Sequence, residues 1–233
     1  MQSFDDIETN LAVDEALLLE AEAQKRGETL RLWECPTPAV VIGSGGKLAE
    51  EINEPACRAA NTSFCRRSSG GGTVVLGPGC LCYSLVLSLE ARPYLEGITP
   101  SYQWILQEVG RALKDICKAS TNGSSDLEFE GRKFSGNAQQ RKRLYILHHG
   151  TLLYDFDIGS IARLLPHPPR EPEYRKGRDH DSFVENLPVS RSVLVEKLTE
   201  VFKAHEPAPA PDAALIRELV TTKYATADWV RRR

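Results

Sequence analysis

CRRSSGGGTVV, residues 65–75, places two arginines and two serines before three glycines and then three β-branched residues. Glycine lets the backbone approach a ligand closely, so several amide N–H groups can point at one anion while an arginine supplies the matching charge. The stretch therefore indicates an anion-binding loop between two strands. A flexible hairpin tip with two solvated arginines is the alternative that these letters leave open.

The size and charge of the chain narrow the class of protein. Its 233 residues can bury a sizeable core, and we expect one domain over residues 1–233. A net charge of −3 gives no sign of a nucleic-acid partner. Since no apolar run is long enough for a membrane span and the amino terminus lacks a signal-peptide pattern, we expect a cytoplasmic protein without a membrane partner.

The hydrophobic pattern on both sides of the loop predicts alternating strands and helices. Strands are predicted at residues 29–33, 39–42, 64–67, 73–76, 81–89 and 145–156, with a hairpin over 127–135 that turns at Glu130 and Gly131. Helices are predicted at residues 11–26, 50–61, 99–117, 190–205 and 212–224. This order predicts an α+β fold of mixed, largely antiparallel sheets with helices packed alongside.

Two further stretches extend the pattern. GRKFSGNAQ occupies residues 131–139 and LHHGTLL occupies residues 147–153. Together with RRSSGGG at 66–72, they resemble the lipoate-protein ligase A family, whose RRxSGGG, GRKxSGxA and HHGTLL patterns occur in this order and at similar separations. The resemblance implies the mixed-sheet catalytic domain that biotinyl and lipoyl protein ligases share.

The resemblance also implies a reaction. A carboxylate is a poor electrophile, so such enzymes use ATP and Mg²⁺ to convert lipoate, or a related short acid, into lipoyl-AMP. The lipoyl group then passes to a lysine of a lipoyl acceptor domain or GcvH-like protein. A site for this chemistry must hold the acid against the α-phosphate, spread negative charge over cations and keep water away.

The resemblance assigns residues to that site. Lys133 is the expected catalytic cation, bridging phosphate and carboxylate oxygens, although lysines are usually solvated. Arg67 is expected to contact the nucleotide, and strand alternation then turns Arg66 to another partner. The other expected binding residues line the nucleotide or leave space beside the lysine: Gly70, Gly71, Gly72, Thr73, Val74, Val75, Gly136 and Ala138.

Several of these roles have a plainer alternative. His149 either donates a hydrogen bond to the acyl-adenylate or is a satisfied core histidine. Asp126 matches the second position of a family Asn-Asp pair and either holds Mg²⁺ or orients Lys133. Gly136 and Ala138 either make room for ligand or serve tight sheet packing. The charged, proline-rich loop at 166–181 either closes over ligand, meets the acceptor, or is a solvated excursion.

The sequence departs from the family pattern in three places. TVVLGPG at 73–79 lacks the His-Asp pair that follows the glycines in many ligases, and GSGGK at 43–47 replaces G-x-x-Q-N. We expect no accessory carboxy-terminal domain, so either a separate subunit supplies that function or the chain works without it. These departures leave acyl specificity open.

Two other functions therefore remain in view. One is an ATP-independent octanoyl or lipoyl transferase, which would hold the acyl group as a cysteine thioester. Cys117, shortly before Asp126, is the candidate thiol, with simple burial as its alternative. The other is a non-catalytic binder of lipoyl domains. The six cysteines contain no C-x-x-C pair, which makes a structural zinc site improbable.

Overall fold

The computed structural model describes residues 3–233. Their strands are β1 (Thr29–Glu34), β2 (Ala39–Ile42), β3 (Ser63–Arg66), β4 (Val74–Leu76), β5 (Cys80–Ser88), β6 (Ser120–Asn122), β7 (Asp126–Phe129), β8 (Arg132–Arg141) and β9 (Tyr145–Leu153). Their helices are α1 (Ile7–Glu22), α2 (Leu48–Glu51), α3 (Glu54–Ala59), α4 (Ile98–Ala112), α5 (Gly159–Leu164), α6 (His180–Phe183), α7 (Arg191–Val201), α8 (Ala213–Leu219) and α9 (Ala227–Val230). A π-helical turn, Val220–Tyr224, continues α8.

The strands form two sheets. The larger has the order β1-β5-β9-β8-β7-β6, and every neighbouring pair is antiparallel. The smaller has the order β3-β2-β4, in which β2 is parallel to β3 and antiparallel to β4. The predicted α+β fold of mixed, largely antiparallel sheets with helices alongside is confirmed.

The two faces of the larger sheet pack against different layers. Along β5, Leu81, Leu85 and Leu87 belong to a core cluster with α4 and α7. The alternate residues Cys80 and Cys82 belong to a cluster that includes the smaller sheet. This alternation follows from the two-residue period of a strand, and it buries β5 on both faces.

The glycine stretch connects two strands of the smaller sheet. β3 ends at Arg66, β4 begins at Val74, and both flank β2. The predicted pair of strands around the loop is therefore confirmed. Gly71 has φ +88°, and a Cβ on Gly43 would lie 2.0 Å from the Gly71 carbonyl oxygen. The loop thus lies directly on the chain that leaves β2, where a side chain would not fit.

The helices predicted over 11–26 and 190–205 are α1 and α7 with shifted bounds, and the other three helix predictions need correction as well. The helix predicted over 50–61 is two short helices, because Asn53 caps α3 by accepting from Ala56 N, and Pro55 occupies its first turn. The helix predicted over 99–117 begins one residue earlier, with Gly97 as its N-cap, and ends at Ala112. The helix predicted over 212–224 changes to π-helical geometry at Val220. The short polar strand β6 was not predicted, because it lacks the alternating apolar pattern.

The segment 166–181 is partly fixed to the body of the protein. The rings of Tyr174 and Phe183 lie 5.1 Å apart, and the Arg175 guanidinium lies 4.8 Å from the Phe183 ring. Arg175 is buried. Across residues 3–233, no helix has both the length and the apolarity that a membrane crossing requires.

Candidate active site

One cavity of about 130 Å³ lies between the glycine loop and the larger sheet. All the predicted site residues except Gly70 and Val75 line it. Gly70 is exposed on the loop, and Val75 is buried in the core of the smaller sheet. The predicted residues that line the cavity are Arg67, Gly71, Gly72, Thr73, Val74, Asp126, Lys133, Gly136, Ala138 and His149.

Lys133 reaches the cavity across its own strand. Asp126 of β7 is opposite Gly136 of β8, and the Lys133 Nζ lies 2.8 Å from Asp126 Oδ1. A Cβ on Gly136 would lie 3.1 Å from both Cε and Nζ of Lys133. Gly136 therefore makes room for the lysine itself. Because the Lys133 side chain is 27% exposed, its ammonium is accessible from the cavity.

Asp126 is held on its other oxygen as well. The Tyr174 hydroxyl donates to Asp126 Oδ2 at 3.0 Å. Burial and the nearby Asp126 charge raise the pKa of Tyr174, so the hydroxyl keeps its proton. With both oxygens engaged, Asp126 is placed to orient Lys133.

A metal role for Asp126 finds no support in its surroundings. Within residues 3–233, no group of three or more histidine, cysteine, aspartate or glutamate side chains is arranged to hold an ion. The nearest cation partner of Asp126 is the Lys133 ammonium. Mg²⁺ is commonly held by one or two carboxylates together with substrate phosphates, so a magnesium role of Asp126 stays a prediction.

The Arg67 side chain stabilises the glycine loop through hydrogen bonds. Its guanidinium donates to the carbonyls of Val41, Gly70 and Gly72 at 3.2, 2.6 and 2.8 Å, and to Ser69 Oγ at 3.0 Å. Burial lowers the pKa of Arg67 to about 10, which leaves it cationic at neutral pH. The loop is thus wrapped around a buried positive charge.

Arg66 points the other way, as strand alternation predicted. It is fully buried and donates to the carbonyls of Gly43 and Gly46 at 3.0 and 2.8 Å. It also donates to the carbonyl of Trp229 at 3.1 Å. Arg66 therefore joins the 43–47 segment to the carboxy-terminal helix α9 and takes no part in the cavity wall.

His149 lies on the cavity face of β9. Its Nε2 is 2.6 Å from Ser69 Oγ, and that oxygen also accepts from Arg67 Nε. The Ser69 proton is then free to go to Nε2, which favours the tautomer with the proton on Nδ1. Burial first, and the Arg67 charge second, lower the pKa of His149 to about 3, so the ring is neutral.

His148 faces the opposite side of the sheet. It is fully buried beside Tyr83, with Nε2 3.3 Å from Asn137 Oδ1. A Cβ on Gly150 would lie 1.9 Å from that same oxygen. In the HHG motif, His148 therefore belongs to the core, His149 faces the cavity, and Gly150 leaves space for the Asn137 side chain.

The remaining cavity wall was not predicted from the sequence. Behind this wall, Asp14 of α1 accepts from Arg31 at 2.6 Å and from Ser84 at 2.7 Å, and lies 3.9 Å from His149 Nδ1. Because these residues are far apart in sequence, no local pattern links them. An apolar portion of the wall is formed by Leu11, Trp33, Val41, Leu76 and Cys82.

The segment that replaces the family's G-x-x-Q-N packs behind the loop. Thr73 Oγ1 donates to Glu51 Oε2 at 2.7 Å, and Glu51 Oε1 accepts from Lys47 N at 3.1 Å. Gly46 lies against Ile42 and Glu51, where a Cβ would come within 2.6 Å of Ile42. These glycines provide close packing of the turn that supports Thr73.

The cysteines are all buried. Cys82 lines the cavity, and a hydrogen bond with Cys80, followed by burial, raises its pKa. Cys117 packs with Leu81 and Leu85 on the face of the larger sheet opposite to the cavity, and burial raises its pKa too. Neither environment stabilises a thiolate.

Comparison with known proteins places the chain in a family. The model of the lipoyl protein ligase A/B catalytic domain matches residues 6–205. The chain belongs to this family. The resemblance to the lipoate-protein ligase family is thereby confirmed.

Individual relatives include both kinds of enzyme. The octanoyltransferase LipM of Brevibacillus brevis is 30% identical over 264 residues, covering 96% of this chain and 94% of that protein. The probable lipoate-protein ligase A of Mycoplasma pneumoniae is 31% identical, over 67% of this chain and 45% of that protein. The family is one of lipoyl ligases and octanoyltransferases, and LipM relatives match along almost their full length.

Solved structures share the fold. A lipoate-protein ligase A bound with ATP superposes with a TM-score of 0.79 at 22% identity, covering 98% of this chain and 96% of that chain. The archaeal bi-partite lipoate protein ligase of Thermoplasma acidophilum, described with its E2 lipoyl domain, has a TM-score of 0.80 at 21% identity and covers 99% and 94%. The lipoyl ligase-like fold is confirmed.

Proposed function

We propose that this chain joins a lipoate-like short acid to a lysine of a lipoyl acceptor domain or GcvH-like protein, after ATP converts the acid to an acyl adenylate. The cavity carries this proposal, because it brings the Lys133 ammonium and the Arg67-centred glycine loop beside an apolar wall. A phosphate-linked acyl group has matching polar and apolar parts. ATP is here a substrate.

Each part of the wall has a task in this reaction. Lys133, held by Asp126, stabilises the negative charge that develops as the carboxylate attacks the α-phosphate and pyrophosphate leaves. The acceptor lysine then attacks the acyl carbon, and AMP leaves. Gly71 and Gly72 line the cavity, and their amide N–H groups are the proposed donors to the phosphate. Neutral His149 offers its Nδ1–H as a donor, and the apolar wall accepts the acyl chain and limits access of water to the anhydride.

The domain organisation belongs to the same proposal. In this proposal, residues 1–233 act as a single catalytic domain. A separate accessory subunit is a candidate partner, and the bi-partite description of the Thermoplasma ligase supports testing one. Addition of such a subunit would be measured as a rise in acceptor modification.

One assay tests the main proposal. The protein is incubated with ATP, lipoate or octanoate, and an acceptor domain, and the acceptor mass is measured. Lys133→Ala is expected to lower the rate at least roughly 100-fold, the scale of lost charge stabilisation in a transition state. Lys197→Ala is the matched control, because Lys197 also pairs with an aspartate, Asp115, at 3.3 Å but outside the cavity. Equal rates for the two variants would contradict the proposal.

A second function has an observation in its favour. The LipM relatives, which are octanoyltransferases by name, cover nearly the whole chain and support octanoyl transfer as the alternative. The proposed route for it is a cysteine thioester without ATP. Cys117 would then have to leave the core cluster in which it packs. Transfer from an octanoylated carrier protein without nucleotide, lost in Cys117→Ala and retained in the buried control Cys57→Ala, would establish this route. Acceptor binding without any turnover would instead support a non-catalytic binder.

A further inference from the structure

The segment from Glu173 to Glu185 supplies a side chain that the proposed reaction does not yet use. Tyr174 donates to Asp126 Oδ2 at 3.0 Å, while the Lys133 Nζ contacts Asp126 Oδ1 at 2.8 Å. Each carboxylate oxygen thus has its own donor. Two donors on opposite oxygens fix the orientation of the carboxylate plane, which a single ion pair does not do.

We propose that Tyr174 is a positioning residue for Lys133. Its hydroxyl fixes Asp126 so that one N–H of the Lys133 ammonium is held and the other two face the cavity. A lysine ammonium sits on a flexible four-carbon chain, so a fixed counter-ion restricts where the charge can go. The acid and phosphate oxygens then meet a charge that is already in place.

The Tyr174 ring is itself held in place by its own segment. Its backbone carbonyl accepts from Arg178 Nη2 at 2.8 Å, and its ring packs on Phe183. The Arg175 and Arg178 guanidinium groups lie 4.8 and 5.2 Å from the Phe183 ring. Tyr174 therefore belongs to a packed cluster of cations and rings, and contacts within the protein hold its hydroxyl beside Asp126.

The same segment also holds the backbone beside Lys133. Glu185 N donates to the Lys133 carbonyl at 2.9 Å, and Arg132 Nη2 donates to the Val184 carbonyl at 2.7 Å. One end of the segment thus fixes the counter-ion, and the other end fixes the strand that carries the lysine. The segment couples to the site from two directions.

Tyr174→Phe tests the role of the hydroxyl, because it keeps the ring that packs on Phe183. Tyr154→Phe is the matched control, since Tyr154 donates to Glu34 Oε2 at 2.9 Å and neither residue lines the cavity. The role of Tyr174 in turnover rests on the proposed function, whereas its effect on the Lys133–Asp126 ion pair does not. Both effects are measured on the full chain, with folding of each variant checked by its melting temperature.

The first readout is turnover of the acid. Tyr174→Phe is expected to lower kcat roughly tenfold, the scale of one hydrogen bond to a charged group, with KM for the acid nearly unchanged. In an Asp126→Asn background, Tyr174→Phe should cause no further loss, because it acts through Asp126. A kcat equal to that of Tyr154→Phe, or effects that multiply in the double variant, would overturn the proposal.

The second readout does not depend on catalysis. Labelling of Lys133 by an amine-reactive acetylating reagent, followed by mass spectrometry, should become several-fold faster in Tyr174→Phe, since a released lysine loses part of its ion pair. Unchanged labelling would overturn the positioning role. If no variant, nor the unmodified protein, transfers an acyl group while the labelling rate still rises, the proposed function fails and the positioning role of Tyr174 stands.

Discussion

The Lys133 side chain reaches Asp126 by passing over Gly136 of β8, where a larger side chain would stand in its way. The Cβ that alanine would add at Gly136 lies 3.1 Å from Lys133 Cε and Nζ. Since Lys133 is partly exposed, its end can move aside without disturbing the core. A larger residue at Gly136 should therefore displace the Lys133 ammonium, while the free energy of unfolding changes little.

Gly136→Ala is expected to lower acyl transfer by roughly 10- to 100-fold, because small misplacement of a catalytic group has effects of this size. The free energy of unfolding should change by less than about 1 kcal/mol, since the neighbour, Lys133, meets the added Cβ with the flexible end of its side chain. Steady-state rates and urea denaturation measure the two. Gly27→Ala is the control, because nothing lies within 4 Å of its added Cβ. Equal activity of the two variants would contradict this view of Gly136.

Because His148 and His149 are buried in the neutral form, we expect the stability of the protein to depend on pH. The pKa of both His148 and His149 is lowered to about 3, first by burial, from an ordinary value of 6.5. As pH falls from 6.5 toward 3, the unfolded chain takes up protons that the folded chain does not, so this stability is lost. His149→Gln should reduce the pH slope of the unfolding free energy by about 1.4 kcal/mol per pH unit in this range. Urea denaturation at several pH values measures it, and parallel curves for the two proteins would disprove it.

The sequence was sufficient to identify the cavity residues that belong to the three short motifs. Arg67, Lys133 and His149 each lie in such a stretch, and the fold brings all three to one cavity. Tyr174 and Asp14 have no such context. Their contacts join residues that only the folded chain brings together, so propensity and spacing carry no signal for them.

At the scale of elements, the strands were the more predictable part. The β-branched and apolar stretches at 39–42 and 73–76 became β2 and β4 with nearly the predicted bounds. The break between α2 and α3 was missed because apolar spacing continues through it. The local signal there is Asn53 with Pro55, a cap and first-turn pair that outweighs the longer periodicity.

The contact between the end of β2 and the glycine loop gives a prediction at this scale. A Cβ on Gly43 would lie 2.0 Å from the backbone oxygen of Gly71, and a backbone atom cannot move aside cheaply. Gly43→Ala is therefore expected to destabilise the protein by about 1–3 kcal/mol, as overpacking does, and to lower activity by displacing the loop. Urea denaturation measures the loss. Gly45→Ala is the neighbouring control, because its added Cβ meets nothing within 4 Å; a similar loss in both would show that the contact is unimportant.

At the scale of the molecule, the larger sheet separates two kinds of interior. On one face, α4 and α7 cover an apolar cluster that contains Cys117. On the other face, the cavity lies between the larger sheet and the smaller sheet, with Arg67, Lys133 and His149 around it. A thioester at Cys117 would have to form across this sheet, whereas an adenylate needs only the groups that already line the cavity.

This separation predicts how the native protein responds to a thiol reagent. All six cysteines are buried, and burial raises the pKa of Cys35 to about 11 and of Cys65 to about 12. Because the thiolate is the reactive form, N-ethylmaleimide should modify the folded protein slowly and leave acyl transfer intact, while all six thiols react after unfolding in urea. Mass spectrometry counts the modified thiols, and the transfer assay is run on the same sample. Rapid modification of Cys117 with parallel loss of transfer would mean that this thiol leaves its cluster during turnover, which would favour the thioester route over the adenylate.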